Sequence, residues 1–159
     1  MYNQTSIPNP KSFIKTTTII HLALLAGQVV FGVTVFFITP NPIIDLKPGN
    51  DPFFYISPAL VLMGIFLGTF LFRKQLEKVA EKTSLQEKLP VYQSALIMRA
   101  AMSEGASLFG IVCMMLTANL FYLFVVAINI LYFIGIRPTR NKIEEALNLD
   151  YEEKAALES

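Results

Sequence analysis

Residues 105–136 read GASLFGIVCMMLTANLFYLFVVAINILYFIGI and contain no Asp, Glu, Lys or Arg. As one α-helix this stretch would be ~48 Å long, which exceeds the ~30 Å hydrocarbon layer of a bilayer but is too short for two crossings. Two crossings therefore require the first to begin upstream, at Val91 after Pro90, and the chain to turn within 116–119. The alternative is one long helix over 91–136, and its excess length argues against it.

Two more stretches without charged residues, 16–44 and 52–72, precede this one. Charged residues make up only 16% of the chain, whereas soluble domains have about a quarter. The sequence therefore predicts an all-α, polytopic membrane protein. Its four transmembrane helices are expected at about 15–39, 54–72, 91–115 and 120–136. The net charge of +1 gives no reason to expect a nucleic-acid partner.

Lys and Arg residues are divided unevenly between the two sides of these spans. Eleven of the 13 lie before helix 1, between helices 2 and 3 or after helix 4, against Lys47 in the first outer loop and Arg99 inside a span. Because cytoplasmic loops carry the excess of basic residues, we expect two in–out–in hairpins with both termini in the cytoplasm. The expected cytoplasmic parts are an N-terminal segment, 1–14, a helical connection, 73–90, and a tail, 137–159. The connection and tail read as solvated helical extensions, with a docking surface for a soluble partner as the alternative.

Small residues indicate how the helices are related and where they meet. Helices 1 and 3 share a pattern of small and aromatic residues at an offset of 78, which is compatible with a parallel repeat of the two hairpins. Pairs of Gly or Ala separated by three residues allow helix backbones to approach closely. The predicted packing residues are Ala23 and Gly27 in helix 1, Gly64 and Gly68 in helix 2, and Ala101 and Gly105 in helix 3. Packing within one chain is favoured over an oligomer interface.

Several polar side chains lie inside the predicted spans. Glu104 is ~18 Å into helix 3, near the bilayer midplane, where a carboxylate costs at least ~2.5 kcal/mol. Arg99 lies too far around the same helix to pair with it. From their depths we expect Glu104 to contact Gln28, and Arg99 to group with His21 and Asn129 nearer the cytoplasm. Such residues are either functional or form a structural network that fixes helix register.

Residues 100–112, AAMSEGASLFGIV, resemble the carboxylate helix of the proteolipid c subunits of rotary ATP synthases. That helix has a buried acid followed by an apolar, aromatic and small sequence, and the resemblance implies that Glu104 binds an ion. The sequence departs from that family at 88–90, which is Lys-Leu-Pro rather than Arg-Gln-Pro, and in having only Gly64 and Gly68 instead of a long glycine ladder. The whole chain resembles the functionally uncharacterised small four-helix membrane proteins of bacteria, which implies an inner-membrane location.

These features predict a non-enzymatic inner-membrane protein, a structural or accessory subunit of a membrane assembly. Its partners are expected to be the lipid bilayer and other membrane subunits or further copies of the chain. The alternative is an oligomeric, proteolipid-like protein that conducts protons or ions through Glu104. An intramembrane enzyme comes third, because no second acid lies at that depth, and because Ser103 and Ser107 are expected to bond backbone carbonyls. One His and one Cys give no reason to expect a metal or a cofactor.

Overall fold

The computed structural model describes residues 10–47 and 49–158. This part of the chain contains six α-helices and a 3₁₀ turn: α1 Pro10–Ile38, α2 Phe53–Glu77, the turn Lys78–Glu81, α3 Leu85–Thr117, α4 Phe121–Gly135, α5 Arg140–Ala146 and α6 Tyr151–Glu158. The prediction of an all-α protein is confirmed. Residues 1–9 of the predicted N-terminal segment and Ser159 at the end of the predicted tail lie outside the described residues.

Three helices, α1, α2 and α3, are long and apolar enough to cross a membrane. A fourth span is counted if α4 and α5 are taken together, although they are bent by 76°. By itself α4 has 15 residues, or ~22 Å, which is shorter than the hydrocarbon layer. Phe37 and Phe66 are 78% and 71% exposed, as is usual for side chains that face lipid rather than water. The described residues thus contain three or four helices suited to a bilayer.

The observed helix boundaries differ from the predicted ones around α3. This helix begins at Leu85 rather than at 91 and includes Pro90. Pro90 lies in the second turn of this helix, where it has no N–H to donate to Gln86 O. The predicted helical connection, 73–90, is not one element, since it is divided among α2, the 3₁₀ turn and α3. At the other end, Ala118 has a φ of 53° and stops α3, so residues 91–136 do not form a single helix.

The α3 helix lies at the centre of the bundle. It packs against α1, α2 and α4, and it keeps α1 and α2 largely apart. Its backbone is in close contact with α2, where a Cβ atom added at Gly64 would lie 2.8 Å from the carbonyl oxygen of Met102. A Cβ atom at Gly68 would lie 3.2 Å from the carbonyl oxygen of Arg99. These two glycines therefore permit the contact between α2 and α3.

The prediction that the other small residues also pack within the chain is wrong. Ala23, Gly27, Ala101 and Gly105 are all exposed. A Cβ atom at Gly27 or Gly105 would meet nothing within 4 Å. The reason is that α3 has three helices on its other faces, which leaves the Ala101 and Gly105 face open. The parallel repeat of the two hairpins stays a prediction. The residue pairs that match in α1 and α3, Ala23/Gly27 and Ala101/Gly105, are alike in being exposed.

Gly64→Ala is expected to destabilise the purified protein in detergent by about 1–3 kcal/mol, because the new methyl group would collide with the backbone of α3. Gly105→Ala is the matched control, since it gives the same gain in helix propensity and its methyl group meets no neighbour. Thermal unfolding of the two variants measures the difference. Equal unfolding midpoints would show that α2 and α3 are not in close contact at Gly64.

At one end of the bundle, which we call the loop end, residues 43–45 of the loop between α1 and α2 lie on the turn at 118–120. The backbone N–H of Ile43 donates to Ala118 O, and that of Leu120 donates to Ile43 O, both at 2.9 Å. The Asn119 side chain bonds both the N–H and the carbonyl of Asp45. The loop between α1 and α2 is therefore fastened to the turn between α3 and α4, which joins the two hairpins at this end.

At the other end, which we call the basic end, the start of α1, the connection at 78–84 and helices α5 and α6 share a buried core. Its fully buried members include Phe13, Leu89, Ile143, Leu147 and Leu157. A salt bridge of 2.6 Å between Lys88 and Glu153 joins α3 to α6. The prediction that the tail is a solvated extension is therefore wrong. Apolar residues of the tail alternate with charged ones so that one side of each short helix is buried.

Candidate functional site

A buried polar cluster joins α3 to α4 in the middle of the bundle. Asn129 is completely buried, and its amide nitrogen donates to Ser103 O at 2.7 Å and to Ser107 Oγ at 2.8 Å. Ser103 Oγ in turn donates to the amide oxygen of Asn129 at 3.0 Å. Since lipid cannot satisfy these groups, the three side chains satisfy one another and fix the register of the two helices.

Arg99 belongs to a second group, which links α3 to α2 and α4. Its Nε donates to the hydroxyl oxygen of Tyr132 at 2.8 Å, and that hydroxyl is 3.1 Å from Thr69 Oγ1. The guanidinium lies 5.2 Å from the ring centroid of Phe72 and 5.4 Å from that of Tyr132, which are cation–π distances. The ion pairs of the described chain, Lys88–Glu153 and Arg140–Glu144, do not include Arg99. Its charge is therefore stabilised by rings and hydroxyls rather than by a carboxylate.

The buried face of α1 carries polar groups that lack partners among the described residues. The His21 ring stacks on Phe133 at 4.5 Å, and its nitrogens make no hydrogen bond there. Gln28 Nε2 donates to Leu24 O at 3.4 Å, while its Oε1 is buried without a donor. Thr17 Oγ1 is also buried without a hydrogen-bond partner among the described residues. These groups face α3 and α4, so any partner they acquire must enter the bundle.

Glu104 lies outside both polar groups. It is half-buried at the edge of the open face of α3, next to the exposed residues Ala101, Gly105 and Leu108. No hydrogen bond or ion pair joins it to another described residue, and the expected contact with Gln28 is not made. Gln28 points into the bundle, where it is completely buried, whereas Glu104 is turned towards the outside. A carboxyl at this depth therefore lacks the partner that a buried ionisable group normally has.

The predicted group of Arg99, His21 and Asn129 is not formed, because each contacts a different neighbour. The sequence predicts how far each residue lies along its helix. It does not predict the direction in which the side chain points around the helix. Ser103, Ser107 and Tyr132 were missed as members of the polar groups. The spacing of Ser103 and Ser107 by four residues, which places both on one helix face, was the available signal.

The described residues offer little for catalysis or metal binding. They contain no group of three or more His, Cys, Asp or Glu side chains placed to hold a metal ion. Cys113 is buried and free, with Val35 and Met114 in the apolar cluster around it, so it acts as a small hydrophobic residue. Two features are left to consider for a function: the open face with Glu104, and the guanidinium of Arg99, which has no carboxylate partner among the described residues.

No family model, curated protein or solved structure matches the chain.

Proposed function

We infer that the protein is a non-enzymatic integral membrane protein that serves as a structural or accessory subunit, with the open face of α3 bound to a transmembrane helix of another subunit. The observation that carries this proposal is the position of Glu104 beside Ala101 and Gly105 on that face. Small residues let a partner backbone approach closely, and the unpaired carboxyl supplies a hydrogen bond that lipid cannot give.

The surroundings of this face also fit a helical partner. A groove of about 340 Å³ runs beside it, lined by Leu60, Met63, Leu67, Met102 and Phe109 among others. The small residues Gly64, Ala101, Gly105 and Ala106 line it too. A groove lined by small residues and apolar side chains suits a helix that packs closely.

A photo-crosslinking amino acid at Leu108, which is exposed beside Glu104, is expected to capture another membrane protein in intact cells. The matched control is the same amino acid at Ile128, which is exposed on α4 and adjoins Asn129, the partner of Ser107, so that it lies at about the same depth. Mass spectrometry of the adduct identifies the captured chain. Adducts at both positions, or at neither, would contradict a specific helix contact at the open face.

The second candidate function is proton or ion conduction by a ring of identical chains. Glu104 favours it, because an intramembrane carboxyl without a fixed partner is free to exchange a proton or an ion. In that case the Leu108 adduct is a dimer of this chain. An adduct with a different membrane protein thus supports the accessory role, whereas a dimer adduct leaves conduction to be tested by transport in proteoliposomes.

We further propose that the basic end faces the cytoplasm, on the strength of the Lys and Arg distribution. The resemblance of the chain to small bacterial membrane proteins supports a bacterial inner membrane as its location. A reporter fused after Ser159 is then expected to be active as a cytoplasmic fusion, and a tag inserted at Gly49, in the loop at the opposite end, is expected to be accessible from outside the cell. Labelling of intact cells by a membrane-impermeant reagent measures whether the tag at Gly49 is accessible. A protected tag at Gly49 with the reporter outside would invert this topology.

A further inference from the structure

A cavity of about 440 Å³ lies at the basic end, between α2, α3, the end of α4 and α5. Its walls include Phe72, Tyr92, Leu96 and Ile136. Phe72 and Ile136 are the last residues of two of the uncharged stretches in the sequence. The cavity therefore lies at the level where the hydrocarbon layer gives way to lipid headgroups.

Arg99 is the half-buried charged residue that lines this cavity, since the other charged lining residues, Lys142 and Glu145, are exposed. Its Nε is occupied by Tyr132, but its terminal nitrogens make no hydrogen bond to the described residues. A half-buried cation is normally neutralised by a carboxylate, and Arg99 has none within the ion-pair distance of 4.0 Å. Four N–H donors in a planar arrangement are thus available to an anion.

A second cation lies at the rim. Lys142 of α5 lines the same cavity, and its Nζ donates to the carbonyl oxygen of Gly135 at the end of α4. One acid, Glu145, also lines the cavity and is exposed. The lining residues therefore carry two positive charges and one negative charge, which leaves the cavity electropositive.

We propose that this cavity binds a phosphate group, and that the headgroup of an anionic phospholipid supplies it. Arg pairs with two phosphate oxygens at once, which suits the free edge of the Arg99 guanidinium. Basic pockets between helices on the cytoplasmic side are sites where anionic headgroups bind. The apolar walls favour a lipid over a soluble phosphate, because they can cover the first carbons of the acyl chains.

The test uses the full chain, purified and stripped of lipid in dodecyl maltoside. Native mass spectrometry measures how much phosphatidylglycerol and how much phosphatidylcholine it retains, and thermal unfolding measures the stabilisation. A separate titration uses inorganic phosphate without lipid. We expect phosphatidylglycerol to be preferred and Arg99→Gln to reduce its binding roughly fivefold, since a basic residue near a membrane surface contributes about that much.

Arg73→Gln is the matched control. Arg73 is exposed, follows Phe72 directly and does not line the cavity, so its loss removes the same charge at the same level. Should Arg99→Gln fail to fold, two variants at the exposed rim replace it. Lys142→Gln is expected to weaken phosphatidylglycerol binding and Glu145→Gln to strengthen it.

The outcomes are distinguishable. One outcome is stabilisation of the chain by inorganic phosphate with no preference between the two lipids. If Lys142→Gln abolished that stabilisation, the cavity would still bind phosphate, but its ligand would be a soluble phosphate rather than a lipid. Equal losses in Arg73→Gln and Arg99→Gln would overturn the proposal in favour of general attraction to a basic surface. Absence of both the lipid preference and the phosphate effect would overturn it as well. None of these results depends on a partner at the open face of α3.

Discussion

Ile143→Asp is expected to release the tail from the basic end and to cost at least about 3 kcal/mol of local stability. Ile143 is completely buried in the core that also contains Phe13, Leu89 and Leu157. A carboxylate there would lose its hydration without gaining a partner, and the isoleucine contacts would be lost too. Limited proteolysis in detergent measures the effect, because a released tail is cut much faster than a packed one.

Asn141→Asp is the control for this variant. It introduces the same charge on the same short helix, at an exposed position, and should leave the rate of cleavage unchanged. If the tail were the solvated extension that its composition suggests, the two variants would behave alike. Similar cleavage rates in both would therefore refute the packed core at the basic end.

The sequence predicted the parts of the fold that depend on charge and length. Uncharged stretches located the helices, and the excess length of residues 105–136 located the turn that the structure has at Ala118. These predictions succeed because the cost of placing charges in hydrocarbon is large and depends little on neighbouring helices. The burial of the tail was not predicted, since Ile143 and Leu147 are separated by charged residues and their burial depends on surfaces distant in sequence.

The candidate site was predicted less well for a related reason. Small-residue spacing shows that a helix can approach, but it does not show which helix does. The glycines of α2 meet α3, whereas a Cβ atom at Gly105 would meet nothing within 4 Å and Ala101 is exposed. Likewise, the depths of Arg99 and Asn129 did not reveal that they contact different neighbours, because their directions depend on how the helices are rotated.

Glu104→Leu is expected to separate the protein from its partner subunit while leaving the isolated chain as stable as before. The contact between Glu104 and Gln28 that the sequence predicts would make this change harmful to the isolated chain, because Gln28 would lose a hydrogen bond. The structure removes that reason, since Gln28 and Glu104 are not bonded. The cost should instead fall on the assembly, where the loss of one intramembrane hydrogen bond weakens association by roughly tenfold, or about 1–2 kcal/mol.

Glu104→Gln is the matched variant, because glutamine keeps the size and hydrogen bonding of a protonated carboxyl but cannot release a proton. An accessory subunit should keep its partner with glutamine at this position and lose it with leucine. A conducting ring should instead stay assembled and lose proton or ion transport with either residue. Co-purification with the photo-captured partner, transport in proteoliposomes and thermal unfolding of the isolated chain measure the three effects.

Labelling of Glu104 by dicyclohexylcarbodiimide is a second test, because this reagent attacks protonated carboxyls in apolar surroundings. In an accessory subunit the partner helix covers the open face, so labelling should be slow in the assembly and faster in the isolated chain. In a conducting ring the carboxyl must remain reachable by the transported ion, so labelling of the intact assembly should be fast and should stop transport. Normal abundance and unfolding of Glu104→Gln together with lost transport would therefore favour conduction over the accessory role.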